Sequence, residues 1–439
     1  MTLHDGSGGS TAVTPAAGTP SRAGLAVAAR PAGPGLVRLP APGATPARWR
    51  LTGRPALYLL ASLIVALLAA SAAPTPLYAI YQARWGFTPI TTTVVFGVYA
   101  VAVLVSLLTL GKLSDHVGRR PVLLAALAVQ AASLVMFAVA GGVPELLIAR
   151  VVQGLATGAA LGAIGAGLLD VDRHRGTFAN AVAPGMGTGS GVLLSALAVR
   201  YLPAPTHLIY LALAGIIVLQ AAGVAVMRET VTRKPGAIAS LRPEIRLPRA
   251  LRRPVLTAVP VLFAVWALAA LYAALGPALV HALTGSGDVV LGGLSLFVLT
   301  LTAVLAIIVL RGADARTVML TGILALITGV AVTMVALSIT STLLFFAGTA
   351  ISGAGFGSGF QGGIRTVVPQ AAAHQRAGVL SLLYIVSYLG LGVPAVAAGF
   401  LIVHGLGLTD TALYYGGAVI ALAGLALPGL LGHRARAGA

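Results

Sequence analysis

Twelve apolar stretches follow one another along this chain, each closed by a short polar or glycine- and proline-containing break. They cover approximately 56–80, 91–113, 121–140, 145–169, 177–200, 207–227, 255–281, 289–310, 317–337, 342–365, 377–403 and 412–432. Each is long enough to cross a hydrocarbon core of about 30 Å as a helix rising about 1.5 Å per residue. Helices are the expected element because lipid offers no partner to open backbone groups. The short alternating segments of a transmembrane barrel do not occur.

The breaks set the organisation. The longest and most basic internal one, 228–253, leaves six spans on either side. The predicted parts are a disordered cytoplasmic tail over 1–54, a six-helix bundle over 55–228, a basic cytoplasmic linker over 229–253, a second bundle over 254–432 and a tail over 433–439. The first tail is rich in Gly, Pro, Ala, Ser and Thr and lacks apolar periodicity, so burial cannot offset its ordering entropy. The basic linker reads as a solvated strap, with anionic lipid headgroups as its other reading.

Composition agrees with a membrane solvent: 58% of residues are apolar and 9% charged, against about 25% charged in soluble domains. With the tail placed in the cytoplasm, 24 of the 28 Lys and Arg fall on inner segments. Arg84 and Arg200 lie outside, Arg150 is embedded and Arg365 sits near an inner end. This positive-inside bias predicts both termini in the cytoplasm. The net charge of +18 forms no aromatic-interleaved patch, so no nucleic-acid partner is expected. Without cysteine there is no disulfide or thiolate metal site. The excess of 26 Arg over 2 Lys, with abundant Ala, Gly and Pro, points to a bacterial source of high GC content and hence a bacterial plasma membrane.

A shift of 201 residues superimposes spans 4–5 on spans 10–11. Gly154, Gly158 and Gly162 fall on Gly355, Gly359 and Gly363, Arg175 on Arg376, and Gly189 and Gly191 on Gly390 and Gly392. Two pseudo-symmetric bundles are therefore expected. A small residue at every fourth position lets a neighbouring helix pack closely.

Between spans 2 and 3 the chain reads Gly111-Lys-Leu-Ser-Asp115-His-Val-Gly118-Arg119-Arg120-Pro121. This constellation resembles the signature loop of the major facilitator superfamily, a class of secondary transporters. Leu147, Arg150, Gln153, Gly154 and Gly158 resemble that family's span-4 motif. The resemblance implies twelve transmembrane helices in two bundles. It also implies a conformational latch built from Gly111, Asp115, Gly118, Arg119, Arg120 and Asp170. In it Asp115 engages the start of span 11 near Arg376 and Ala377, and Arg119 pairs with Asp170. Arg150 is implied in proton coupling or substrate contact. Span 5 departs from the drug–proton antiporter pattern, with Val192 after Gly191 where proline is usual.

All ten carboxylates lie near span ends or in the tail, as do the histidines. A proton-coupled carrier usually holds an embedded titratable group. Three routes stay open: coupling through Glu145 or Asp115 in the vicinity of Arg150 and Gln153, through the substrate's own proton, or none. By analogy with the family, the cavity is lined by spans 1, 4, 7 and 10, with Tyr78, Tyr81, Trp266, Tyr272 and Gln361; spans 5 and 11 add Asn180, Tyr384 and Tyr388. An aromatic, uncharged lining suits amphipathic or apolar solutes. The expected function is export of such molecules by alternating access, as a monomer without cofactor or metal. The rival is an uptake symporter or facilitator for a neutral metabolite.

Overall fold

The computed structural model describes residues 50–431 apart from 246, 373 and 374. The tail expected over 1–54 lies outside the described residues up to 49, and that over 433–439 entirely. The helices are α1 (Gly53–Ala72), α2 (Tyr78–Trp85), α3 (Pro89–Leu110), α4 (Ser114–Val117), α5 (Arg119–Val139), α6 (Val143–Val171), α7 (Arg173–Tyr201), α8 (Pro205–Val226), α9 (Arg252–Thr284), α10 (Val289–Val309), α11 (Ala315–Ser338), α12 (Thr342–Val367), α13 (Arg376–Leu401), α14 (Leu408–Gly424) and α15 (Leu427–Leu431). All except α2 and α4 fall in the twelve segments long and apolar enough to span a bilayer, α14 and most of α15 sharing the last. The protein is an all-α membrane protein of two six-helix bundles. We call the face where α1 begins and α14 ends the tail side, and the opposite face the far side.

Polar residues fix the helix starts. Asp172, Asp288, Asp314 and Ser341 accept backbone N–H groups of Arg175, Val290, Thr317 and Leu344, which have no partner within their helices. Each half buries its own apolar core. Leu60, Leu67, Leu123 and Phe137 lie in the first and Leu262, Leu268, Met319 and Phe345 in the second.

The glycine ladders pack as close contacts, in a register the sequence misplaces. A Cβ on Gly154, Gly158 or Gly162 would lie 2.6 Å from Ala102 Cβ, 2.7 Å from Ser106 Cβ and 3.0 Å from Gly111 Cα, so this ladder faces α3 and the loop after it. In the second half the residues facing the corresponding helix, α10, are Gly353 and Gly357, against Thr302 and Ala303. Gly355 faces Leu326 of α11, while Gly359 and Gly363 face Val265 and Leu262 of α9. Packing therefore matches Gly154 to Gly353 and Gly158 to Gly357, a shift of 199 and not 201. Two residues turn a helix by about 200°, so the other register pairs opposite faces.

The halves meet chiefly through two helix pairs. Between α3 and α13 a Cβ on Gly399 would touch Thr93, and one on Gly97 would touch Val396; both contacts lie towards the far side. Between α7 and α10, Gly293 faces Ala196, Gly189 faces Thr300 and Gly185 faces Val304, so this contact runs along most of the helices.

Candidate functional site: a proline break, a tail-side loop and an aromatic box

The first span does not run unbroken over 56–80. Pro74 and Pro76 have no N–H, and the helix stops at Ala72 and restarts at Tyr78. The carbonyls of Ala70, Ser71 and Ala73 lose their usual donors, because residue 74 is proline and the N–H groups of Thr75 and Leu77 turn to Ala72 and Pro74. Side chains from other helices replace them. Gln153 Nε2 donates to Ala70 O at 3.1 Å, Arg150 Nη1 to Ser71 O at 2.9 Å, and Ser195 Oγ to Ala73 O at 2.6 Å. At this depth unpaired carbonyls have no water to turn to.

Arg150 is only 1% exposed and does not reach to the far-side surface. Its Nη2 and Nε donate to Tyr78 Oη at 2.6 and 3.1 Å and its Nη1 also to Gln153 Oε1 at 2.6 Å. The rings of Tyr78, Tyr99 and Phe137 surround the guanidinium at 5.8, 5.2 and 5.5 Å from their centroids. Dipoles and π-faces, with no acidic partner among the described residues, hold this cation. Glu145 is exposed in the first turn of α6 and is not brought to Arg150. The second half carries a neutral counterpart: Tyr272 Oη bonds to Thr333 and Thr349 at 3.2 and 3.0 Å.

On the tail side, Gly118 adopts φ 106°, ψ 152°, a conformation only glycine takes readily. A Cβ there would also lie 2.7 Å from Glu229 Oε2. That carboxylate caps α5, accepting from Arg119 N at 2.8 Å and Arg120 N at 2.9 Å. Arg119 folds beneath the loop. Its guanidinium bonds to Ser114 Oγ at 2.7 Å, to Asp170 Oδ2 at 3.1 Å and to Asp115. Asp115 is thus held within its own loop, half exposed. The expected contact with the start of α13 is absent among the described residues; Arg376 Nε donates to Ala371 O instead. The linker is tied down as well: Lys234 N donates to His116 O at 2.9 Å, and Lys112 pairs with Glu244 at 2.6 Å.

The predicted cavity residues separate. Tyr78 lies on Arg150, Tyr81 bonds to Tyr210 at 3.2 Å and stacks on Trp85, and Tyr272 is buried inside the second half. These three are interior residues of their bundles, because each hydroxyl finds a partner there. Asn180 donates to Gly165 O at 3.1 Å. Gln361, Tyr384 and Tyr388 are half-buried and make no hydrogen bond within the described protein. Trp266 stacks on Tyr388 with centroids 5.7 Å apart and meets Phe356 and Phe360 edge-on at 5.8 and 5.7 Å.

On the far side Arg200 of α7 pairs with Asp288 at the start of α10, joining the halves. The other oxygen of Asp288 accepts Val290 N at 2.9 Å. That N–H first, and Arg200 with it, hold the Asp288 carboxyl below its usual range. On the tail side, the Thr317 side chain and N–H lower Asp314 in the same way. No cluster of three or more His, Asp or Glu that could hold a metal occurs among the described residues.

The model of the Major Facilitator Superfamily matches residues 58–314, more than half the chain. The chain belongs to the major facilitator superfamily. It is accordingly a transporter. No curated protein sequence matches it significantly. Among solved structures it is similar to the nucleoside transporter NupG, with 16% identity, TM-score 0.63, and 85% of this chain and 98% of that one covered. A single-residue mutant of NupG gives 14%, 0.65, 85% and 99%. The human organic anion transporter MFSD10 (TETRAN) gives 17%, 0.60, 84% and 98%. At these identities the likeness is one of fold.

In this major facilitator chain several site residues are not marked by the sequence, among them Glu229, Arg200, Asp288 and Ser195. Glu229 stands 110 positions after the Arg119 N–H it receives, so spacing gives no hint of the contact. Arg200 reads as an outside residue in the sequence, but only the packing of α7 on α10 pairs it with Asp288. A carboxylate directly before an apolar run was the available signal for Asp288 as a cap.

Proposed function

We propose that this chain exports amphipathic or apolar small molecules across the bacterial plasma membrane by alternating access of its two halves, as a monomer with both termini in the cytoplasm. The observation that carries the reading is asymmetry across the membrane. The halves are joined on the far side by α3 with α13 and by Arg200 with Asp288, while Asp115 on the tail side engages only its own loop. Such an arrangement is one end of a transport cycle, closed outside and, apart from the α7–α10 contact that continues to Val182 and Ile307, released inside. Asp115 closing onto α13 would mark the other end.

The aromatic, uncharged residues of α9, α12 and α13 favour amphipathic cargo over sugars, which want several polar partners. Protons enter the proposal through Asp115, since Glu145 is exposed away from Arg150 and Arg150 is saturated by Ser71 of α1, Tyr78 of α2 and Gln153 of its own helix.

A susceptibility panel on cells with and without the gene tests export directly: tolerance to amphipathic compounds should fall when the gene is lost. An unchanged panel, together with uptake of a neutral metabolite into right-side-out vesicles, would replace export by the uptake reading. Everted vesicles that show no proton movement with exported compounds would remove the proton from the scheme.

A further inference from the structure

Trp266 Nε1 is buried and has no hydrogen-bond partner in the protein. An indole N–H shut away from both water and acceptor costs about 1–3 kcal/mol, and native structures leave few such groups. Its surroundings are unusual for an uncompensated donor. One face of the ring stacks on Tyr388, and Phe356 and Phe360, one turn apart on α12, close on it edge-on. Three helices therefore build an aromatic box around one unused donor. The four rings are only half-buried, so the box borders open space. Gln361 follows Phe360 and Tyr384 precedes Tyr388 by one turn, and neither spends its polar group on the protein.

The box is electrically neutral. Between 255 and 280, 342 and 364, and 377 and 403 the chain has no Asp, Glu, Lys, Arg or His. The one buried cation deep in a span, Arg150, is occupied by Tyr78, Ser71 and Gln153 in the other half. An anionic ligand would meet no counter-charge here and would lose its hydration, at several kcal/mol per ion, while an ammonium-type cation, which ring faces can hold, would bring no acceptor to the indole N–H. A saturated ligand would waste three ring faces. A ligand without an acceptor would leave the indole N–H unpaired.

We infer that the box formed by Trp266, Phe356, Phe360 and Tyr388 binds a neutral, planar aromatic molecule that carries a carbonyl or ring-nitrogen acceptor, which takes the Trp266 N–H. The inference rests on the transporter reading and narrows its cargo from amphipathic solutes in general to this class. Entry of the ligand parts the rings that now close on one another and supplies the missing acceptor.

The test compares 9-fluorenone with fluorene, planar neutral molecules of the same framework that differ by the carbonyl. Binding is measured by equilibrium dialysis against the full chain in lipid nanodiscs, with empty nanodiscs subtracted. The wild type should prefer fluorenone by about tenfold, the weight of one hydrogen bond. Trp266→Phe, which keeps a ring and removes the donor, should reduce the preference, read as the ratio of the two affinities, to about one. Equal binding of the two probes by the wild type overturns the inference without needing any variant. So does a preference that survives Trp266→Phe, which would mean the fluorenone carbonyl has its partner elsewhere. Tighter binding of fluorenone-4-carboxylate than of fluorenone overturns the neutral class. The susceptibility panel reports on export separately. A changed panel without a fluorenone preference leaves the transporter reading standing and removes only the box.

Discussion

Replacing Gln153 by leucine should destabilise the first bundle, and should do so less once Pro74 is also replaced by alanine. Gln153 makes two contacts that leucine cannot: Nε2 to Ala70 O at 3.1 Å and Oε1 from Arg150 Nη1 at 2.6 Å. Losing the second removes a hydrogen bond to a charged group, about 1.5–3 kcal/mol. Losing the first strands a buried carbonyl, another 1–3 kcal/mol or so. Hydrogen bonds between transmembrane helices average nearer about 0.6 kcal/mol, because the membrane-inserted unfolded chain also finds partners. Only the Ala70 contribution depends on the proline. In the Pro74→Ala background the new N–H stands four residues from Ala70 and pairs with its carbonyl, so the glutamine amide has one duty fewer. The double variant should therefore lose less stability than the two singles together, by about 0.6–3 kcal/mol. Reversible unfolding in mixed detergent–SDS micelles, followed by circular dichroism, measures all four corners of the cycle. Additivity within about 0.3 kcal/mol would refute the claim that Gln153 replaces the donor that proline removed.

Two further outcomes follow from the ends of the bundles. Gly118→Ala should cost about 1–3 kcal/mol, since alanine neither accepts this backbone conformation nor leaves room for Glu229. Glu229→Gln should cost less, about 0.5–2 kcal/mol, as a weakened helix cap, and the same micelle unfolding should show that order. On the far side, Asp288→Asn should loosen closure at neutral pH. A cysteine placed at Gly293 in this otherwise cysteine-free chain should then react faster with a maleimide. Asp288 has a depressed carboxyl, so its ion pair is complete above the ordinary value of 3.8 and is lost only as pH falls through the lower value it has in the closed state. With Asp288 retained, labelling of the Gly293 cysteine, normalised to the thiolate fraction at each pH, should stay flat through neutral and mildly acidic pH, and a rise near pH 6 would show that another group controls closure (a histidine has the matching pKa of about 6.5).

Much of the architecture was legible because lipid restricts the choices so severely. Helix number and their division into six and six follow from lengths of apolar sequence and one basic break, as each span must satisfy its backbone internally. The loop at Gly111–Pro121 could be read because its glycines and charges are local to one turn. The repeat was legible as a fact but not in register: counting aligns glycines, whereas packing aligns faces, and two residues exchange one face for the other. Tyr78, Tyr81 and Tyr272 look like cavity residues in sequence because an aromatic in a span carries no mark of which way it turns.

By itself the sequence determined that this is a twelve-span membrane protein with a loop of the facilitator kind, because hydrophobicity and local spacing are properties of neighbouring residues. Tertiary structure decided what its few intramembrane polar groups are for. Arg150, Gln153 and Ser195 answer carbonyls released by prolines roughly eighty to one hundred and twenty positions earlier in the chain. Trp266 is left without an acceptor by three rings from two other helices. Hydrogen-bond satisfaction is a property of the packed whole, so no local pattern could have announced either.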